Sequence, residues 1–301
     1  MASLFDSLQA LLPRKVWENE LMSAHTSMRT GGPAALWAEV PSAAVAVDCI
    51  RLLRETGTPF ILLGNGSNVL FPDRGYKGTV LQWIGDGGSV RINGAMLFAE
   101  AGETLARLAA IARDAGLTGL EWASGIPGCL GAAVAINAGA FGGDMQGVIK
   151  EVRVLTREGE QFPVPAEELE YAYRSSRVQR EGWYVLSATL RLSPGSPKDI
   201  DARMKELAAR RREKQPLTLP SCGSAFKRPL NGYAAALIEQ AGCKGWQEGG
   251  AQVSTLHAGF IVNTGSATTA DVLRLMERVA SRVYDCSGVR LTPEIQSVEE
   301  V

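Results

Sequence analysis

The 301-residue sequence is short of histidine, of cysteines in paired spacing and of net positive charge. It has two histidines, His25 and His257, so a histidine-rich metal centre is not available and no metal site is expected. Its five cysteines, Cys49, Cys129, Cys222, Cys243 and Cys286, are odd in number and scattered, without paired ligand spacing. That pattern fits a reducing cytoplasm better than a disulfide framework. The formal net charge is −1, which gives no electrostatic case for nucleic acid or an anionic membrane. No run reaches the ~18 apolar residues of a membrane span. Residues 1–14 lack a basic region ahead of their apolar positions and carry Asp6, so no signal peptide is expected. Two nucleotide-binding motifs are missing as well. No glycine run ends in Gly-Lys-Ser or Gly-Lys-Thr, and the Gly-x-Gly-x-x-Gly pattern opened by Gly64 and Gly66 fails at Val69. The usual nicotinamide-binding fold is therefore a poor match.

What remains is ordinary globular stock, 46% hydrophobic and 21% charged, which argues against disorder. At ~150 residues per domain the length suggests about two domains, with three small ones possible. Two glycine-rich stretches stand out. Residues 125–142 hold five glycines and five alanines, with Pro127 between Gly125 and Gly128. Such a backbone turns tightly, and bare N–H groups at the helix start suit phosphate. The alternative is a packing corner where small residues let two elements touch. The second stretch is Gly64-Asn65-Gly66-Ser67-Asn68, between the apolar runs at 60–63 and 69–70. Two such turns in one chain argue for a ligand with a diphosphate.

Apolar spacing predicts a helix over 4–12, a polar turn over 26–33, a strand over 34–40 and a helix from an N-cap at Ser42 to Glu55. A strand over 60–63 then delivers the first glycine-rich turn. Strands are predicted over 78–83, 90–93 and 96–101, with Asn93-Gly94 as a hairpin turn, and a helix over 104–115. Further strands are expected over 148–156, 161–164 and 183–192. Ser193-Pro194-Gly195-Ser196-Pro197 reads as a linker, followed by a charged helix over 199–214. Helices over 233–241 and 269–284, strands near 251–254 and 259–263, and a strand-like tail over 289–298 complete the set.

Taken in order, both glycine-rich turns, Tyr173-Arg174-Ser175-Ser176, the stretch from Gly223-Ser224 to Arg228-Pro229, and Pro293-Glu294-Ile295 resemble the UDP-N-acetylenolpyruvoylglucosamine reductase family. The resemblance covers nearly the whole chain. It implies an α+β fold: a two-part FAD-binding domain of the vanillyl-alcohol-oxidase type plus a smaller α/β substrate-binding domain. The corresponding segments are residues 1–90 and 91–200 for the two FAD-binding subdomains, 201–284 for the substrate domain, and 285–301 for a strand returning to the active site. It implies hydride transfer from NADPH, by way of FAD, to the enolpyruvyl group of UDP-N-acetylglucosamine enolpyruvate, giving UDP-N-acetylmuramate for peptidoglycan synthesis in the cytoplasm. No nucleic-acid, membrane or obligate protein partner is expected. The rival readings are a flavin oxidoreductase of the same fold with another substrate, and a catalytically silent nucleotide-sugar binding protein.

By position in the motifs, the resemblance makes Ser224 the proton donor, Arg174 the catalytic arginine and Glu294 the catalytic glutamate. Hydride addition to a double bond conjugated to a carboxylate needs a cation where charge develops and an acid at the α-carbon. Cofactor contacts are expected from Arg29, Gly64, Asn65, Gly66, Ser67, Asn68, Gly125, Ile126, Pro127, Gly128, Gly131, Ala132, Asn137 and Gly139. Substrate contacts are expected from Tyr173, Lys227, Arg228, Tyr233 and Gln252, with Asn263 as a further possibility. Cys129 and Cys222 read as small fillers and His257 as a structural histidine. Three departures mark this chain: Arg228 stands where many members have asparagine, Ala132 where a second glycine is usual, and Phe141 where tyrosine is frequent. The chain runs from Arg174 to the strand at Trp183 without a long insertion, which resembles the shorter branch of the family, lacking the tyrosine-bearing loop.

Overall fold

The computed structural model describes residues 3–83, 85 and 88–299. The extreme ends of the expected first and last segments, residues 1–2 and 300–301, lie outside the described residues. The chain divides into two compact units. The first comprises Met1–Trp17, Trp37–Asn65 and Val80–Arg210, and the second Glu18–Leu36, Gly66–Thr79 and Arg211–Val301.

The first unit is built on a five-stranded antiparallel sheet. Its order is Gln161–Pro165, Ile149–Leu155, Tyr184–Arg191, Met96–Glu100, Arg91–Asn93. Tyr184–Arg191 is central and its apolar residues are buried on both faces, as a covered strand requires. The Asn93↔Met96 pairing leaves Gly94 and Ala95 as the hairpin turn, with Gly94 at φ +57. A second sheet is ordered Val16–Leu21, Pro33–Val40, Tyr76–Trp83, Phe60–Leu63. Helix Ala43–Glu55 starts where Ser42 accepts from the Val45 N–H, and buries Ala46, Val47, Cys49, Ile50 and Leu53. Helix Leu105–Asp114 starts in the same way from Thr104. The predicted linker is instead pinned down. Ser193–Pro194 pairs with Leu117–Thr118, the Gly195 N–H donates to the Gly116 carbonyl at 2.8 Å, and Pro197 opens helix Pro197–Lys214. Proline at a first helical position has no N–H to lose, so a Pro-rich run can start an element as well as separate two.

The second unit has a four-stranded sheet ordered Ser221–Ser224, Phe260–Asn263, Ala251–Val253, Gln247–Glu248. Helices Ala234–Gln240 and Thr269–Ser287 contribute Ile238, Val272, Leu275 and Val279 to its core. Met28 and Leu70, far away in sequence, belong to the same core. The long helix is capped twice. Thr268 and Asp271 form a capping box, and the Asp73 carboxylate accepts from the Thr269 and Ala270 N–H groups at 2.8 and 2.9 Å. The predicted tail strand shrinks to Gln296–Ser297, which pairs in parallel with Val69–Leu70. Pro293, without an N–H, makes only an isolated bridge with Phe226.

Candidate cofactor and active site

In the first unit the stretch 123–131 folds back on itself. The Ile126 N–H donates to the Ala123 carbonyl at 3.0 Å, and the Gly128 N–H to the Ile126 carbonyl at 2.9 Å. Helix Leu130–Ala135 follows, but its start is not bare. The Leu130 N–H donates to the Glu103 carbonyl at 2.8 Å, and the Gly131 N–H to the Ala101 carbonyl at 2.9 Å. The expectation of open N–H groups at this helix start is thus corrected, because the loop is laced to the segment before helix Leu105–Asp114. Gly131 is glycine for the same reason: a Cβ there would lie 2.7 Å from the Ala101 Cβ.

Beside this helix the turn residues Gly64 and Asn65 meet Cys129. The Cys129 thiol donates to Asn65 Oδ1 at 3.0 Å, and a Cβ on Gly64 would stand 3.3 Å from the sulfur. Burial pushes the thiol up to about 11, so it is a neutral donor and not a nucleophile. Gly64, Cys129, Gly131 and Ala132 border a cavity of about 170 Å³ whose other walls include Leu62, Trp83, Trp183 and Tyr184. The Trp83 indole is buried, and its Nε1 has no hydrogen-bond partner among the described residues. Side-chain-poor backbone, aromatic walls and an unanswered donor suit part of a dinucleotide cofactor.

The Tyr173-Arg174 motif caps a tight turn closed by reciprocal bonds between Ala172 and Ser175, of 3.0 and 3.1 Å. Arg174 takes φ +53, its guanidinium lies 5.4 Å over the Tyr173 ring, and Nη2 reaches the Gly139 carbonyl at 3.4 Å. Two buried side chains fasten this turn. The Ser176 hydroxyl donates to the Ala135 carbonyl at 2.6 Å. Asn137, at φ +46, donates to the Ala172 carbonyl at 3.2 Å and accepts from the Gln146 N–H at 3.0 Å. The Asn137 amide oxygen and one of its N–H groups are therefore committed within the protein.

The second unit gathers the rest. Gly66 has φ +61, and a Cβ there would come within 2.0 Å of the His25 carbonyl oxygen, so only glycine fits. Asn68 Nδ2 donates to the Glu294 carbonyl at 3.1 Å. The Glu294 N–H donates to the Ala225 carbonyl at 2.9 Å, one residue past Ser224. Ser224 ends its strand exposed to solvent, and its hydroxyl has no partner among the described residues. The stretches that carry Ser224, Glu294 and Asn68, distant in sequence, are thus tied together by one backbone bond, from Glu294 to Ala225, and one side-chain bond, from Asn68 to Glu294. The Lys227 N–H donates to the Thr292 carbonyl at 2.8 Å, continuing the same pairing. Arg228 lies 4.6 Å over the Tyr233 ring, and both side chains are exposed. Gln252 is half-buried on strand Ala251–Val253. Arg29 is exposed at φ +58, and Ser67 is half-buried beside Asn68. Asn263 is committed to structure: it donates to the Met28 carbonyl and accepts from the Gly265 and Ala267 N–H groups. Sequence reasoning missed Ser176 and the Cys129–Asn65 bond. A serine three residues before Gln179 carried a capping signal, whereas nothing in sequence joins Cys129 to Asn65.

Two family models match the chain: the FAD binding domain over residues 34–164, and the UDP-N-acetylenolpyruvoylglucosamine reductase C-terminal domain over 215–298. Among solved structures, the UDP-N-acetylenolpyruvylglucosamine reductase of Thermus caldophilus aligns with a TM-score of 0.80 and 33% identity, over 93% of this chain and 98% of that one. Alkyldihydroxyacetonephosphate synthase aligns with a TM-score of 0.50 and 14% identity, over 64% of this chain and 40% of that one, a likeness of fold alone. The architecture is α+β, with a two-part FAD-binding domain of the vanillyl-alcohol-oxidase type and a smaller α/β domain, and the class is FAD-dependent oxidoreductase. A curated UDP-N-acetylenolpyruvoylglucosamine reductase from Caldanaerobacter subterraneus subsp. tengcongensis is 44% identical over 298 residues, covering 99% of this chain and 98% of its own length. One from Clostridioides difficile is 39% identical over 97% of this chain and 96% of its own. The chain belongs to the UDP-N-acetylenolpyruvoylglucosamine reductase family.

Proposed function

We propose that this chain uses NADPH to reduce the enolpyruvyl group of UDP-N-acetylglucosamine enolpyruvate to UDP-N-acetylmuramate, in the cytoplasm. The observation that carries the reading is the pairing, in the second unit, of the stretch after Ser224 with the stretch ending at Glu294, through bonds from the Glu294 N–H to the Ala225 carbonyl at 2.9 Å and from the Lys227 N–H to the Thr292 carbonyl at 2.8 Å. That pairing sets the stretch with the exposed Ser224 alongside the stretch with Glu294, a grouping that proton delivery to substrate can use.

FAD, when bound, supplies the hydride relay. The chain's own residues do the rest. Negative charge grows on the substrate carboxylate during reduction, and the planar fork of Arg174 stabilises it there. The Ser224 hydroxyl gives the proton to the α-carbon, with Glu294 beside it. Lys227 and Arg228 offset the charge of the UDP diphosphate, while Tyr173, Tyr233 and Gln252 contact the substrate. In the first unit the residues that hold FAD are Gly64, Asn65, Gly125, Ile126, Pro127, Gly128, Gly131, Ala132, Asn137 and Gly139. In the second they are Arg29, Gly66, Ser67 and Asn68. Asn68 and Asn137 act chiefly through the turns they fasten, since their amides already serve backbone groups. The functional segments are residues 1–90, 91–200, 201–284 and 285–301, and no nucleic acid, membrane or obligate protein partner takes part.

The test is an anaerobic two-step reaction of the purified flavoprotein. NADPH should bleach the visible flavin band, and the enolpyruvyl sugar nucleotide should restore it with formation of UDP-N-acetylmuramate. Restoration by a simpler enolpyruvyl acid, with none by the sugar nucleotide, would overturn the reading.

A further inference from the structure

We infer that Cys129 is a positioning residue for the cofactor: its S–H holds the Asn65 carboxamide oxygen, so that the amide N–H₂ is what the first glycine-rich turn presents to FAD. The inference rests on the proposed role of Asn65 in holding FAD.

Asn65 stands exposed in the turn between Gly64 and Gly66. A terminal amide in such a place rotates freely and offers solvent its oxygen as readily as its nitrogen. For an acceptor-only group such as a diphosphate, one orientation donates and the other repels. The Cys129 thiol removes that ambiguity. It is 2% exposed and fixed in the loop before helix Leu130–Ala135, and it donates to Asn65 Oδ1 at 3.0 Å. A thiolate there would instead attract the N–H₂ group and reverse the amide. Burial in the apolar corner, which pushes the thiol up to about 11, keeps the donor protonated at neutral pH. Asn65 Nδ2 has no partner among the described residues, so both of its N–H bonds stay available. Gly64 completes the arrangement, because a side chain on it would crowd the sulfur at 3.3 Å. The result is a donor oriented before any ligand arrives, which reduces the ordering cost of binding.

The experiment measures FAD affinity of the apoprotein by quenching of flavin fluorescence, independently of turnover. The variants are Cys129→Ala, Cys129→Ser, Asn65→Ala and the double variant. Loss of one orienting hydrogen bond should weaken FAD about 2- to 10-fold in Cys129→Ala. Cys129→Ser keeps a donor and should stay near the wild type. Once Asn65 is alanine, Cys129→Ala should cost nothing further, because the two act through one bond. A purely structural role for the thiol would give the same loss in both Asn65 backgrounds, and that result would overturn the inference, as would equal losses for serine and alanine. Unchanged affinity in Asn65→Ala would remove Asn65 from the cofactor site and the inference with it. Weakening by Asn65→Ala without weakening by Cys129→Ala would sink the inference alone. Should Cys129→Ala fail to fold, Cys129→Val, which fills the site without a donor, takes its place in both Asn65 backgrounds with the same outcomes deciding.

Discussion

Arg174 holds a left-handed backbone that a residue with a Cβ adopts at a cost of roughly 1–3 kcal/mol. The reciprocal bonds of the 172–175 turn and the Ser176 and Asn137 anchors supply what keeps it there. The arginine is therefore aimed by its turn. Ser224 is the opposite case, an exposed strand end whose hydroxyl has no partner among the described residues. If it delivers the proton, Ser224→Ala should slow single-turnover reoxidation of the reduced enzyme by substrate by roughly 10²–10⁴-fold while FAD stays bound. An unchanged rate would take Ser224 out of the chemistry. His257 makes a pH prediction. Burial pushes its imidazole below the ordinary 6.5, while Nδ1 accepts from the Gly259 N–H at 3.2 Å. The unfolded chain takes up the proton first as pH falls, so this contribution to stability is whole above 6.5 and is lost as pH drops toward the folded value. His257→Gln should make urea midpoints fall less between pH 7 and pH 5 than in the wild type, and an identical fall would contradict it.

At the scale of elements, the turn after strand Phe60–Leu63 is the most constrained. Gly66→Ala would need a left-handed alanine with its Cβ 2.0 Å from a carbonyl oxygen. The strain alone is on the order of 1–2 kcal/mol, and the clash adds to it, so thermal unfolding should move to lower temperature. A melt matching the wild type would show that the turn can relax. The main elements were legible because their signals are local: Ser42, Thr104 and Thr268 cap helices, and Gly94 turns a hairpin. Strand Val16–Leu21 was not foreseen, since four of its six residues are exposed and it shows no alternation. The tail strand was overdrawn and the linker misread for a related reason. Two-residue pairings such as Gln296–Ser297 with Val69–Leu70 depend on partners that sequence spacing cannot reveal. The site divides in the same way. Motif resemblance singled out Ser224, Arg174 and Glu294 as candidates, whereas the commitments of Leu130 N–H, Asn68 and Asn137 came from neighbours outside their own stretches.

For the molecule as a whole, the second unit is assembled from three separate lengths of chain. The matched C-terminal segment, residues 215–298, holds its sheet and both helices but not everything that supports them. Asp73 caps the long helix, Asn263 donates to the Met28 carbonyl, and Met28 and Leu70 fill the core. Residues 211–301 expressed alone should accordingly lack a cooperative thermal transition, and should gain one when 18–36 and 66–79 are supplied. A sharp two-state melt of the isolated segment would show that those supports are dispensable.

The bond from Asn68 to the Glu294 carbonyl spans 226 positions. During translation the first glycine-rich bend leaves the ribosome long before its partner exists. Until residues 294–298 emerge, Val69 and Leu70 present an open strand edge, with their neighbouring asparagine unanchored. Maturation of this bend is thus a late event in biosynthesis, and premature termination anywhere upstream of Glu294 leaves a chain whose earliest motif was never finished.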